Sequence, residues 1–141
     1  MLAVLSIATL LLYTLVMSQP LFYAFALGRV SLALSGPAYA ELRQRINNAI
    51  TRPLVVVYAV TFVACLAVAA LAWREGATPT AMGVGLAAST LVLDITIAAR
   101  GNAPLNAAMN QWDPLAPPTD WATHRAAWHR VFRLRQVVLG V

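Results

Sequence analysis

The sequence predicts an all-α integral membrane bundle, with three hydrophobic helices crossing the bilayer and a fourth helix following them. Two observations favour this class: 60% of the 141 residues are hydrophobic, and only 11% are charged. An ordinary soluble domain has about a quarter of its residues charged. A soluble chain of this length would lack the polar side chains needed to cover its surface, whereas a bilayer removes that need. The length suits a single domain over residues 1–141.

Three apolar runs are each long enough to cross a hydrocarbon core of about 30 Å. The first covers residues 2–27; it lacks a basic leading segment and exceeds the apolar part of a signal peptide, so we interpret it as a retained span. The second covers residues 54–73, with Pro53 expected in the first turn of its helix. The third covers residues 80–99. These runs are the predicted transmembrane helices.

The segments outside these runs are also partly helical. Residues 38–50 have apolar positions three or four apart, which indicates a helix lying at the interface or extending the second span. Pro104 should break the helix just past the third span, before a short helical stretch. A fourth helix is expected over residues 120–141, with a polar and aromatic beginning and an apolar part from Val137.

The arginines predict the topology. Four lie between the first two spans and five follow the third, whereas Arg74 stands alone between the second and third spans. By the positive-inside rule, the two arginine-rich segments are cytoplasmic and the N-terminus is outside, in a multi-pass protein of the cell inner (plasma) membrane. This asymmetry favours contact with lipid head groups, and we expect no nucleic-acid partner.

Asp94 is the only acid within the three predicted spans. Asp94 is about 9 Å along the helix from Arg100. A buried carboxylate there indicates either a functional site or a structural pair with an arginine. Gln19 either faces a polar cavity or satisfies the carbonyl group that Pro20 frees.

The C-terminal part contains two histidines and an aromatic stripe. His124 and His129 are about 140° apart around a helix, so a metal ion would need further ligands from elsewhere, and pairing with acids or head groups is the alternative. We assign no metal ligands, and the sequence identifies no cofactor. The stripe is a substrate wall or an interfacial anchor; it consists of Trp121, Arg125, Trp128 and Phe132.

Two asparagines flank the proline that follows the third span. Asn102 and Asn106 can cap exposed backbone groups or hydrogen-bond a ligand, and both interpretations fit the sequence.

The chain resembles the anthrone oxygenase-like family of small four-span membrane proteins. The likeness covers most of the sequence and depends on three groups of residues: Arg45-Ile46-Asn47, Gly101-Asn102-Ala103-Pro104-Leu105-Asn106, and Trp112, Trp121, Trp128, His129 and Arg133. The family's last helix should continue beyond Val141.

This resemblance implies an oxygenase that oxidises a flat, apolar phenolic or quinone-like substrate with O2 at the cytoplasmic membrane face. A general base and groups that stabilise an enolate would then be needed. His129 or Asp94 would be the base, and Arg133 would stabilise the enolate together with Asn102 and Asn106. Asn47 and Trp128 would complete the substrate-binding site.

The alternative is a non-catalytic subunit or scaffold of a larger membrane complex. Small residues in the third span allow close helix approach; they are Gly83, Gly85, Ala87 and Ser89. A transporter is less favoured, because no internal repeat is visible. The partners that these interpretations allow are the lipid bilayer, a lipophilic aromatic ligand, and a homo- or hetero-oligomeric neighbour.

Overall fold

A computed structural model describes residues Met1–Gly140 and confirms the all-α class, with no strand in that range. Position 141, the predicted end of the fourth helix, lies outside the described residues. Two π-helical turns link neighbouring α-helices into longer rods. The elements are α1 (Leu2–Phe22), a first π turn (Tyr23–Leu27), α2 (Gly28–Ala33), α3 (Gly36–Arg74), α4 (Thr78–Ile97), a second π turn (Ala98–Asn102), α5 (Ala103–Met109) and α6 (Trp121–Leu139).

Three rods are long and apolar enough to cross a membrane: Leu2–Ala33, Gly36–Arg74 and Thr78–Met109. Many of their large apolar side chains are exposed on the surface of the bundle, as expected for contact with lipid. The chain is therefore a membrane protein, with three helices that suit the bilayer.

Two sequence predictions about prolines are wrong. Pro53 does not begin a helix, because α3 is continuous for 39 residues and starts at Gly36, with Pro37 in its first turn. Residues 38–50 thus extend the second span. Pro104 does not break the third rod, since the second π turn joins α4 to α5 and leaves Pro104 in the first turn of α5. There its missing N–H donor costs little.

Helices α3 and α4 are antiparallel and are joined by a short turn that contains Gly76, whose φ is 73°. We call this end of the bundle the turn end. From this end to the middle of the bundle the core is mainly apolar; it contains Val16, Tyr58, Cys65, Ala88 and Leu91. The opposite end, the arginine-rich end, has an aromatic core made of Tyr23, Tyr39, Met109, Trp128 and Phe132.

Helix α6 returns from the arginine-rich end into the bundle and packs against α4, the second π turn and α1. Gly101 permits this approach, because a Cβ atom there would lie 2.5 Å from Cγ1 of Val131. Arg125 fixes the start of α6 to the end of α2: its Nη1 atom donates to the carbonyl oxygens of Ser31, Leu32 and Leu34, at 3.0–3.2 Å. Such a contact satisfies the free carbonyl groups at a helix C-terminus.

Candidate functional site

A cavity of about 620 Å³ lies between α1, α3, α4 and α6. Its walls are mostly apolar, and its polar side chains form two clusters. Five of the seven site residues that the family resemblance implies line it: Asn47, Asp94, Asn102, Asn106 and Trp128. Residues more than 50 positions apart in the chain therefore converge on one site.

The deeper cluster is an ion pair built on Asp94, which is fully buried. Arg135 donates from Nε to Oδ1 at 2.7 Å and from Nη2 to Oδ2 at 2.9 Å. The Tyr58 hydroxyl donates to Oδ2 at 2.6 Å. Of the two sequence interpretations, the pair with an arginine is therefore confirmed. Because the three residues also line the cavity, this pair forms its polar floor.

The second cluster lies nearer the arginine-rich end and is organised by Asn106. Its Oδ1 atom accepts from Arg43 Nη2 at 2.9 Å and from Trp128 Nε1 at 2.8 Å. The Arg43 guanidinium also lies over the Trp128 ring, 3.9 Å from its centroid. Asn102 Nδ2 donates to the Trp128 carbonyl oxygen at 3.2 Å. The asparagines thus position Arg43 and Trp128.

The alternative that these asparagines cap a helix is not supported. Asn102 occupies the N-terminal cap position of α5, yet its side chain makes no capping hydrogen bond. The side-chain oxygen of Asn106 is engaged by Arg43 and Trp128 instead.

Three residues of the lining each have a buried polar atom with no hydrogen-bond partner within Met1–Gly140; these atoms are Arg43 Nε, Asn102 Oδ1 and Gln19 Oε1. Arg43 is 6% exposed and Asn102 is 3% exposed. A buried polar atom without a partner costs about 1–3 kcal/mol, and more when the group is charged. One unpaired donor and two unpaired acceptors therefore belong to residues in the wall of this cavity, which is a pattern typical of a ligand-binding site.

The π turns explain how the lining residues are aimed. Each π turn inserts extra backbone into a helix, and such bulges occur frequently at functional sites. Tyr23 and Leu27 come from the first π turn, and Ala98, Ala99 and Asn102 come from the second. The Pro20 carbonyl oxygen, close to the first π turn, accepts from Gln136 Nε2 at 3.1 Å. Gln19 itself faces the cavity, which was one of its two sequence interpretations.

His129 and Arg133 do not line the cavity. His129 Nε2 lies 3.1 Å from Ser31 Oγ and 3.4 Å from the Tyr23 hydroxyl, and Tyr23 is a lining residue. Burial lowers the pKa of His129 below 6.5, and the positive charges of Arg125, Arg43 and Arg133 lower it further. Arg133 is exposed on the surface of α6.

The remaining candidates from the sequence are His124 and the aromatic stripe, and only part of the stripe lines the cavity. His124 contacts Asp120 at 3.4 Å, and within the described residues no group of three or more His, Cys, Asp and Glu side chains could hold a metal ion. Of the aromatic stripe, Trp128 and Phe132 line the cavity. Trp121 instead lies beside the Tyr39 ring, with the Arg125 guanidinium over its own ring, 4.5 Å from the centroid.

Sequence reasoning did not single out Arg43, Tyr58 or Arg135 as site residues. Arg135 carried one usable signal, because it is the last arginine before the apolar end of the fourth helix and Asp94 needed a partner of that sign. Arg43 carried none, since it resembles the other arginines of its segment. No family model, curated protein or solved structure matches this chain.

Proposed function

We propose that the protein binds a flat, apolar phenolic or quinone-like molecule in this cavity and oxidises it with O2. The observation that carries the proposal is the combination of apolar walls with an unpaired Arg43 Nε donor and unpaired acceptors on Asn102 and Gln19. The resemblance to anthrone oxygenases, which the asparagine motif carries, agrees with it. By the positive-inside rule the site belongs to the cytoplasmic face, with the N-terminus outside and the inner (plasma) membrane as location.

The unpaired atoms define the chemistry of the ligand. A carbonyl or phenolate oxygen would accept from Arg43 Nε, and a phenolic hydroxyl would donate to Asn102 or Gln19. A purely apolar molecule would leave all three atoms without partners, and a highly charged one would not suit the apolar walls. A polycyclic hydroxy-ketone provides the required acceptor, donor and apolar body together.

The proposed reaction converts an activated CH2 group and O2 into a C=O group and water. The substrate first loses a proton to give an enolate, and carbon then bonds to oxygen to form a hydroperoxide that eliminates water. The protein's part is to remove the proton and to stabilise the enolate oxygen. Arg43, with its position fixed by Asn106, is the cation best placed for the second task, because Arg133 is exposed outside the cavity and Arg135 is paired with Asp94.

Two groups are candidates for the proton acceptor. The Asp94 carboxylate lines the cavity, but hydrogen bonds from Arg135 and Tyr58 occupy both of its oxygens. His129 reaches the cavity through the Tyr23 hydroxyl, and its lowered pKa favours the neutral imidazole that a base requires. We therefore favour His129 acting through Tyr23, with Asp94 as the second candidate.

Ligand binding is tested with 1,8-dihydroxyanthraquinone and with anthracene, which lacks oxygen atoms. We expect Arg43→Lys to weaken binding of the former about 10- to 100-fold, because one charge-assisted hydrogen bond contributes about 1.5–3 kcal/mol. Arg45→Lys is the matched control, since Arg45 is exposed and pairs with Glu41. Equal affinity of the wild type for both probes would refute the polar recognition.

Turnover is tested with 1,8-dihydroxyanthrone and O2, following quinone formation per folded molecule. His129→Ala and Asp94→Asn should not both retain full activity. If both do, neither residue is the base, and the oxygenase mechanism loses its proton acceptor. Wild-type protein that binds the quinone probe but never oxidises the anthrone would reduce the function to ligand binding.

A second candidate, a non-catalytic subunit, is supported by the small residues of α4. A Cβ atom built at Gly83 or at Gly85 would meet nothing within 4 Å, so another helix could approach α4 closely at either position. Gentle solubilisation should then recover a partner polypeptide in fixed stoichiometry. A lone monomer that binds the quinone probe would favour the oxygenase instead.

A further inference from the structure

We propose that the cavity opens sideways into the bilayer between α3 and α4, and that its ligand enters through this opening from the lipid. The inference concerns the route to the site and depends on the proposed function, because it requires a lipid-soluble ligand. We call this opening the lateral portal. Its rim consists of Thr51, Val55 and Ala59 on α3 and of Val92, Ile95 and Ala99 on the α4 rod.

Exposure of the lining residues locates the portal. All six rim residues line the cavity and are nevertheless exposed at the surface of the bundle. The lining residues that α1 and α6 contribute, such as Phe132 and Arg135, are buried or only partly exposed. A residue that both lines a cavity and reaches the surface marks its mouth, and by this criterion Ala103, just beyond Arg100, continues the mouth at the head-group level. The mouth therefore faces outward between α3 and the α4 rod.

The spacing of the rim residues gives the mouth its shape. On α3 they recur every four residues, and on the α4 rod they lie at positions 92, 95 and 99, so each set forms a stripe along one face of its helix. Towards the turn end the same two helices are closed over buried side chains, including Thr61 and Cys65 on α3 and Ala88 on α4. The helices thus separate only in their arginine-rich halves.

The depth of the portal matches one leaflet of a bilayer. Arg52 and Arg100 mark the level at which the helices meet the head groups. At 1.5 Å per residue, Val55 lies about 4–5 Å inward from Arg52, and Val92 lies about 12 Å inward from Arg100. Half of a hydrocarbon core is about 15 Å thick. The mouth therefore extends from the head-group level to near the middle of the bilayer.

The rim chemistry suits a flat apolar molecule. None of its side chains is charged, and Thr51 is the single polar one. A phenol or quinone dissolved in this leaflet would pass without exchanging its apolar surface for water, and its oxygen atoms would meet Arg43 and Asn102 inside. Entry from water would instead require the apolar body to leave the bilayer first, which costs about 25 cal/mol per Å².

The test places bulk in the mouth and measures exchange rates. Val55→Trp and Ile95→Trp fill the rim, whereas Val56→Trp and Leu93→Trp add the same bulk at neighbouring positions outside the lining. The positions are comparable, with Val55 and Val56 64% and 60% exposed and Ile95 and Leu93 43% and 49% exposed. Each variant is reconstituted in vesicles, and binding and release of bilayer-dissolved 1,8-dihydroxyanthraquinone are followed.

A portal that limits exchange predicts that both rim variants slow association and dissociation together. We expect each rate to fall by about tenfold, equivalent to about 1.4 kcal/mol of added barrier, and the Kd to change by much less than the rates. The controls should exchange at the wild-type rate. As a complement, the Val55→Ala, Ile95→Ala double variant should exchange faster than wild type, which tests the portal without added bulk.

The outcomes separate this inference from the proposed function. Rim variants that bind and release the probe at the wild-type rate would overturn the lateral portal and leave the proposed function standing. Rim variants that raise the Kd without changing the association rate would show a filled cavity instead of a gated mouth, and would also overturn the portal. A wild-type protein that binds no probe at all would overturn both.

Discussion

Removal of the Asp94 carboxylate is the perturbation with the most predictable energetic result. Asp94 is fully buried, and Arg135 contacts both of its oxygens. Asp94→Asn keeps the shape but leaves the Arg135 charge without a counter-ion inside an apolar bundle. Breaking a buried ion pair from one side costs about 3–5 kcal/mol, mostly as the penalty of the unpaired charge. We expect that loss in the free energy of unfolding.

The reasoning also predicts how the partner behaves. Arg135→Met alone should cost a similar amount, because it leaves the Asp94 charge unpaired. The double variant removes both charges, so it should be less destabilised than the sum of the singles, by about 2–3 kcal/mol of coupling energy. The matched surface pair is Arg45 with Glu41, at 2.8 Å but exposed. Glu41→Gln should cost no more than about 1 kcal/mol.

The measurement is reversible unfolding in mixed micelles, with the fraction of folded protein followed as the denaturing detergent increases. The four-variant cycle gives the coupling energy directly, and Glu41→Gln reports what an exposed pair contributes under the same conditions. An Asp94→Asn cost below about 1 kcal/mol, or a double variant that equals the sum of the singles, would refute a buried and unscreened pair.

Three further predictions concern packing and pH. Gly101→Ala should destabilise the fold by about 1–3 kcal/mol in the same unfolding assay, since its Cβ would lie 2.5 Å from Val131. Val131→Ala should restore most of that loss. Gly83→Ala should instead stabilise α4, by up to about 1 kcal/mol, because its Cβ would meet nothing within 4 Å. A lower free energy of unfolding would mean that another molecule packs against Gly83. The folded state lowers the pKa of His129 below 6.5, so the unfolded chain binds the proton more readily. The free energy of unfolding should therefore fall as the pH drops below 6.5, which thermal unfolding between pH 7.5 and 5 would detect. His129→Gln should reduce that slope, and an unchanged slope would assign it to another group.

The sequence by itself determined the fold class and the lipid surroundings of the helices. Long apolar runs with few charges allow one outcome, because unpaired backbone groups are too costly in lipid for anything but helices or closed barrels, and the runs are too long for barrel strands. The same reasoning identified Asp94 as a residue needing a partner. Asn102, Asn106 and Trp128 were found through their motif, and they do line the cavity.

The tertiary structure decided how those residues combine. The rules for prolines depend on local geometry, and they failed at Pro53 and Pro104. At Pro53, packing against neighbouring helices outweighs the loss of one backbone hydrogen bond, whereas Pro104 lies in the first turn of α5, where the missing donor costs little. The partners of Asp94 come from α3 and α6, and the role of Arg43 follows from its contact with Trp128 about 85 residues later. A cavity is a property of the space between helices, so no pattern within one helix predicts it.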